Sequence, residues 1–181
     1  MNAPAISNVK LSAKVPLTSL ESVSDFCAAQ KIRTRRRDKD NFLVIHRKFT
    51  HVLFKSSRKP EKRQHCNVTK AKLYEVDEAI EELAFIINRQ PSEISFKIDN
   101  TTATGNLQKV IDIEDFIDTN EDVSHLIDYN PEIFPGLFFK NENGKGKSIL
   151  FKSGKCVIVG CSTLLQVNQV FQNLVKRCAL I

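Results

Sequence analysis

The sequence predicts an α+β fold in which two pseudo-symmetric repeats, residues 1–91 and 92–181, join their antiparallel sheets into one curved sheet with helices on its convex face. Three observations predict it. An order of short alternating strands followed by a long amphipathic helix is written twice along the chain. The tetrapeptide LFKS stands at Leu53–Ser56 and again at Leu150–Ser153, 97 residues apart, each time just ahead of a short strand and a closing helix; a match in the same structural place marks an internal duplication. The 181 residues are 41% hydrophobic, enough for one sizeable core or two small fused ones.

The elements follow in order. Ile6–Leu17 is strand-like, and Thr18 followed by Glu21 forms a capping box for a helix whose inward stripe is Leu20, Val23, Phe26 and Cys27. From Asn41 to Lys70 apolar and polar residues alternate in NFLVIHR, THVLFKS and CNVTK, a three-stranded meander. Leu73, Val76, Ile80, Leu83 and Ile87 then recur at helical spacing, and the helix ends before Pro91. The second half opens with a strand over Ile94–Thr104 and an acidic, poorly patterned helix candidate over Asp112–Asp128. FPGLFFK, SILFKSG and KCVIVG supply its strands, and Leu164, Val167, Val170, Phe171, Leu174 and Cys178 its closing helix. GKGK at Gly144–Lys147 lacks the strand-loop-helix context of a phosphate loop and reads as a hairpin turn.

Composition narrows the function classes. No apolar run approaches the roughly 18 residues that span a bilayer, so the chain reads as soluble and intracellular, without a membrane partner. Five scattered cysteines with no CxxC pair suggest neither a disulfide framework nor a cysteine zinc site. His46, His51, His65 and Cys66 can be assembled into a metal site on paper, but two of them would point to opposite sheet faces. No nucleophile, metal or phosphate-cradling constellation emerges, so no enzyme, metal or cofactor is expected. The net charge of +6 favours a polyanionic partner. Residues 1–91 carry 18 Lys+Arg against 10 Asp+Glu, and residues 92–181 carry 9 against 11. The basic character is concentrated in Lys31–Lys39 and Lys55–Arg63, runs that suit either solvated loops or phosphate contact.

Strand parity puts Phe42 and Val44 on one face and Leu43 and Ile45 on the other, with Val52 falling beside Phe54. One face is then core, and the other is an apolar surface that suits a partner.

The segment YNPEIFPGL at Tyr129–Leu137, with Phe151 in ILFKSGKCVIVGC 14 residues further on, resembles the second repeat of the TATA-binding protein family, which carries a YxPExFPGL segment and an IFxSGKxxxTG segment at similar separation. FLVIHR, VLFKSS and NVTKAK resemble the same strands of the first repeat, less closely. The resemblance implies a saddle-shaped sheet that grips the minor groove of A·T-rich double-stranded DNA. It also implies four phenylalanine wedges, Phe42 with Phe54 and Phe134 with Phe151, which as ordinary core residues would need no such role. Asn100 in KIDNTTATG matches one groove-floor asparagine, and Lys10 in ISNVKLSAK is expected as its counterpart. Thr69 is retained beside the centre, and Val159 stands in the second such position. Arg47, Lys48, Lys140 and Lys155 occupy the family's phosphate-contact positions, although each alone could be an ordinary surface charge. Glu132 matches an acidic stirrup for a transcription factor IIB-type partner.

Departures accompany the match. Phe42 and Phe54 are 12 residues apart where Phe134 and Phe151 are 17 apart, so a tight turn is expected near Arg47–Phe49. RKPEKRQH adds a basic loop, and the helix carrying EVDEAIEE is acidic where eukaryotic relatives are basic. The loose match in the first repeat fits a viral or highly divergent lineage. The resemblance implies a promoter-binding initiation factor working with RNA polymerase machinery, in the nucleus or, for a viral factor, at the cytoplasmic site of transcription. Two other classes stay open: a protein-binding scaffold of the same fold with weak, non-specific nucleic-acid binding, and a single-strand or RNA binder that stacks bases on the same aromatics.

Overall fold

A computed structural model describes residues 4–16, 19–36, 41–55, 64–142 and 144–180. The chain divides into two compact units, Asn8–Asp99 and Met1–Ser7 with Asn100–Ile181. The division falls inside strands, after Ser7 and after Asp99.

The first unit contains β1 (Ala5–Val15, which begins in the other unit), α1 (Leu20–Ala29), β2 (Arg33–Arg35), β3 (Phe42–His46), β4 (Thr50–Phe54), β5 (Gln64–Ala71) and α2 (Val76–Ile87). Its strands are ordered β2-β3-β4-β5-β1, and the pairings between them are antiparallel. Alternation decides which face is buried. Val9, Leu11, Ala13 and Val15 of β1, with Leu43, Ile45, Leu53, Cys66 and Val68, face inward. Leu83, Ala79 and Ile80 of α2 close over them, with Val23 and Cys27 of α1. Each fully buried Leu or Ile contributes about 1.5–3 kcal/mol, so truncating Leu83 at the centre would cost about 2–5 kcal/mol.

Thr18 lies outside the described residues. The observed cap of α1 is Ser19, whose Oγ accepts the amides of Glu21 and Ser22 at 3.1 and 3.3 Å. The Arg36 guanidinium and then Ser19 hold the exposed Glu21 carboxyl down at about 2. Leu73, expected in the stripe of α2, precedes it in a short 3-10 turn and is exposed. The turn expected near Arg47–Phe49 is present, closed by the Arg47 amide donating to the Phe49 carbonyl at 2.9 Å, and it drives Phe49 fully into the core.

The second unit contains β6 (Ser95–Asn106, which begins in the first unit), α3 (Ile113–Thr119), β7 (Ile127–Asp128), β8 (Leu137–Lys140), β9 (Lys147–Leu150), β10 (Lys155–Cys161) and α4 (Leu164–Cys178). Its order β6-β10-β9-β8-β7 repeats the topology of the first unit strand for strand. The core gathers Ala103, Leu137, Phe139, Leu150 and Ile158 against Val167, Val170, Phe171 and Leu174 of α4; Leu164, at the start of that stripe, is exposed. The acidic stretch resolves into α3, capped by the Asp112 carboxylate and anchored by Ile113 and Phe116, followed by a 3-10 segment over Glu121–Leu126. The GKGK stretch turns β8 into β9, with Gly144 and Gly146 at φ of 75° and 79°.

Each unit carries one β-bulge in the same place. Leu11 pairs with Val68 while Val9 pairs with Ala71, and Ile158 pairs with Ala103 while Cys161 pairs with Thr101. An extra residue therefore stands in β5 and in β10. The bulges put Lys70 at φ 70° and Gly160 at φ 80°, the left-handed region natural to glycine.

Candidate nucleic-acid interface

The helix-free face of each unit is lined by the residues that alternate with the core. In the first unit these are Phe42, Val44 and His46 of β3, Thr50, Val52 and Phe54 of β4, and Asn67 and Thr69 of β5, all half-buried. Phe42 pairs directly with Phe54, their ring centroids 6.3 Å apart. In the second unit Phe134 meets Phe151 edge to face at 5.9 Å and stacks on Phe138 at 5.3 Å. Gly136 permits this grouping: a Cβ there would lie 2.7 Å from both Phe134 and Ile149 and 3.0 Å from Phe151. An open concavity of about 700 Å³ adjoins Phe151, lined by Thr104, Asn106, Lys155 and Val157.

The bulges fix the polar centre of each face. Asn100 Oδ1 accepts the Gly160 amide at 2.8 Å, and Asn8 Oδ1 accepts the Lys70 amide at 3.1 Å. Asn8, and not Lys10, is therefore the counterpart of Asn100. Lys10 stands opposite the bulge of β5, as Thr102 stands opposite the bulge of β10. With each carbonyl oxygen engaged by the backbone, the Nδ2 amino group is left as the donor. Thr69 and Val159 precede the two left-handed residues and are half-buried on this face. The signal for Asn8 was the shared Ile-x-Asn of AISN and KIDN.

The expected cations divide. Lys140 and Lys155 are exposed on the helix-free side of the second unit, and Lys147 joins them with its Nζ 4.9 Å from the centre of the Phe138 ring. Arg47 and Lys48 turn the other way. Lys48 pairs with Glu78 and Glu75, and the Glu78 bond raises its pKa. The Arg47 guanidinium is 5.2 Å from the centre of the Phe85 ring and 3.9 Å from Glu82. The acidic surface of α2, beside a turn whose Phe49 is buried, draws both cations to the helix side. Their places on the open face are taken by Arg33 and Arg35 of β2, which pair with His46 and Val44. The sequence had placed these two in a polar basic run without an element. Residues 37–40 and 56–63, the rest of the basic runs, lie outside the described residues. Glu132 is exposed in the Tyr129–Gly136 loop beside the exposed Ile133.

His51 and Cys66 are buried on the helix side, while His46 and His65 lie on the other. Among the described residues no cluster suits a metal ion, and no helix is long and apolar enough to cross a membrane.

Two topologically equivalent units, each presenting an aromatic pair and a bulge-anchored asparagine on a helix-free sheet face, define the fold class of the TATA-binding proteins. Methanococcus jannaschii TBP matches the structure with a TM-score of 0.78 over 99% of this chain and 100% of its own, at 22% identity. Residues 95–179 match the family model for transcription factor TFIID (or TATA-binding protein, TBP). The TATA-box-binding protein of Aeropyrum pernix is 39% identical over 84 residues, 46% of this chain and 39% of that protein. The TATA-box-binding protein-like 1 of Entamoeba histolytica is 31% identical over 81 residues, 45% of this chain and 36% of that protein. These matches span less than half the length of the curated relatives. Residues 95–179 are therefore similar in sequence to the TATA-binding proteins, and the chain shares the fold of Methanococcus jannaschii TBP.

Proposed function

We propose that this chain binds double-stranded DNA through the minor groove at A·T-rich sites, kinks it by inserting Phe42, Phe54, Phe134 and Phe151 between base steps, and serves transcription initiation. The observation that carries this reading is the pair of aromatic contacts, Phe42 with Phe54 and Phe134 with Phe151, on faces that no helix covers. Such rings have no core of their own to enter. Wedging unstacks base steps at about a few kcal/mol each, repaid by the larger surface of bent DNA, as is general for minor-groove wedge proteins, the TATA-binding protein among them.

Asn8 and Asn100 would donate to adenine N3 and thymine O2 in the groove floor, the acceptors that all A·T edges share. Thr69 and Val159 would lie against the neighbouring bases, with Lys10 beside them. Lys140, Lys155, Lys147, Arg33 and Arg35 would meet phosphates; Arg47 and Lys48 could join them only by leaving the acids of α2. Glu132, next to the exposed Ile133, supports docking of a transcription factor IIB-type partner on that loop, and the site of action is that of the RNA polymerase machinery.

The test is competition binding of labelled A·T-rich duplex, G·C-rich duplex and single strand at two salt concentrations. The reading expects selective duplex binding that weakens linearly in log–log salt. Binding indifferent to sequence and unchanged by Phe134→Ala would overturn it and favour a protein scaffold.

A further inference from the structure

The two units carry different basic side chains at equivalent places on their helix-free faces. Lys140 and Lys147 form the pair that closes the β8–β9 hairpin, and the pair that closes β3–β4 is His46 with Thr50. Lys155 of β10 pairs with Asn106 of β6, two residues before Val157 pairs with Thr104. His65 of β5 likewise pairs with Lys14 of β1, two residues before Asn67 pairs with Ser12. His46 therefore stands where Lys140 stands, Thr50 where Lys147 stands, and His65 where Lys155 stands. Three permanent cations of the second unit are matched in the first by one hydroxyl and two imidazoles.

His46 alternates with the buried Ile45, and His65 with the buried Cys66, so both rings are on the side away from the helices. His46 is half-buried and His65 exposed. Neither ring makes a hydrogen bond or ion pair among the described residues, unlike the buried His51, which meets Glu82. The charged groups around them are mostly cations. Arg33 pairs with His46, and Arg35 follows on the same strand; Arg47 and Lys48, although next in sequence, are drawn off by Glu75, Glu78 and Glu82. Lys14 pairs with His65, and Lys97, 3.2 Å from Asp99 Oδ1, borders the same hollow beside Phe96. The adjoining β4 adds only the uncharged Thr50, Val52 and Phe54 to this face.

A surface of this charge suits an anion. Histidine is the side chain that changes charge between about pH 5 and 8, and as an imidazolium it donates from both nitrogens. An anion within about 4–6 Å favours the charged form. Contact with a phosphate and uptake of a proton from solvent are therefore coupled, and each strengthens the other by the same factor.

We propose that His46 and His65 are phosphate-contact residues of the first unit that engage as imidazolium ions, so that DNA binding takes up protons and tightens as pH falls. This rests on the minor-groove reading above. The second unit, with Lys140, Lys147 and Lys155 at the same places, holds its phosphates independently of pH across this range.

The experiment measures binding of the full chain to A·T-rich and G·C-rich duplexes over a range of salt at pH 6 and pH 8, with titration calorimetry near pH 7 in buffers of different ionisation heat. The slope of log affinity against log salt should steepen from pH 8 to pH 6 by about 0.9 for each histidine that gains a phosphate, about 1.8 for both, and calorimetry should show net proton uptake. His46→Gln/His65→Gln should keep the shallower slope at both pH values. His46→Lys/His65→Lys, which copies the second unit, should show the steeper slope even at pH 8 and lose the proton uptake. A·T-selective binding with one slope at both pH values and no proton uptake, or a pH effect undiminished in the lysine variant, would overturn the role of the histidines and leave the minor-groove reading intact. Binding indifferent to sequence at both pH values, with Phe134→Ala equal to wild type, would overturn both.

Discussion

Asn8 holds its unit's bulge as Asn100 holds the other, each accepting the amide of a residue in the left-handed conformation. The two positions differ in how comfortably that conformation is occupied. Gly160 adopts φ 80° without a Cβ, whereas Lys70 adopts φ 70° with one, at about 1–2 kcal/mol of steric cost. Lys70→Gly should therefore stabilise the protein by about 0.5–1 kcal/mol after the added unfolded-state entropy is subtracted. Gly160→Ala should destabilise it by about 1–2 kcal/mol. Urea unfolding of the two variants checks both signs.

Gly136→Ala places a methyl group against Phe134, Ile149 and Phe151 at once. Because Leu137 and Leu150 beneath are fully buried, the rings on the open side are the parts able to yield. The variant should lose about 1–3 kcal/mol of stability by overpacking and, if the two rings act as a wedge, should weaken A·T-rich duplex binding further than stability alone accounts for. Binding well below the unfolding transition separates the two effects.

Glu82 anchors α2 to the sheet. Its Oε1 meets His51 Nε2 at 2.8 Å and accepts the Phe49 amide at 3.3 Å. Burial raises its pKa, but the His51 bond, the Phe49 amide and Arg47 together outweigh that and hold it below the ordinary 4.5. Glu82→Ala should cost about 1–3 kcal/mol, because the buried His51 nitrogen and the Phe49 amide lose their partner. A carboxyl depressed in the folded state adds stability above its unfolded pKa and loses it as pH falls through the folded value. The difference between wild type and Glu82→Ala should therefore be full at pH 6–7 and shrink below about pH 4.5, as denaturant melts across that range would record.

Much of this architecture was legible because period-two alternation chooses a face unambiguously. NFLVIHR and THVLFKS fix Leu43, Ile45 and Leu53 inward and leave Phe42 and Phe54 outward together. Reading Lys10 as the counterpart of Asn100 overlooks the shared Ile-x-Asn of AISN and KIDN, and the Asn8 contact with the Lys70 amide, matching that of Asn100 with Gly160, corrects it. The strand Arg33–Arg35 carries no apolar alternation, and only its pairing with β3 gives Arg33 and Arg35 a face. Arg47 and Lys48 read as groove-side cations until the burial of Phe49 and the carboxylates of Glu75, Glu78 and Glu82 are set beside them. In the Asp112–Asp128 stretch just three apolar residues, Ile113, Phe116 and Val123, are buried, too few for a periodic signal.

The central claim is that the Phe134–Phe151 and Phe42–Phe54 pairs bend DNA. End-to-end fluorescence energy transfer across a doubly labelled A·T-rich duplex tests it most directly, with wild type beside Phe134→Ala/Phe151→Ala at saturating protein. The account predicts a shortened end-to-end distance with wild type that returns toward the free-duplex value with the double variant. A saturated complex whose ends stay as far apart as in free DNA, or a bend that persists when both rings are removed, would contradict it.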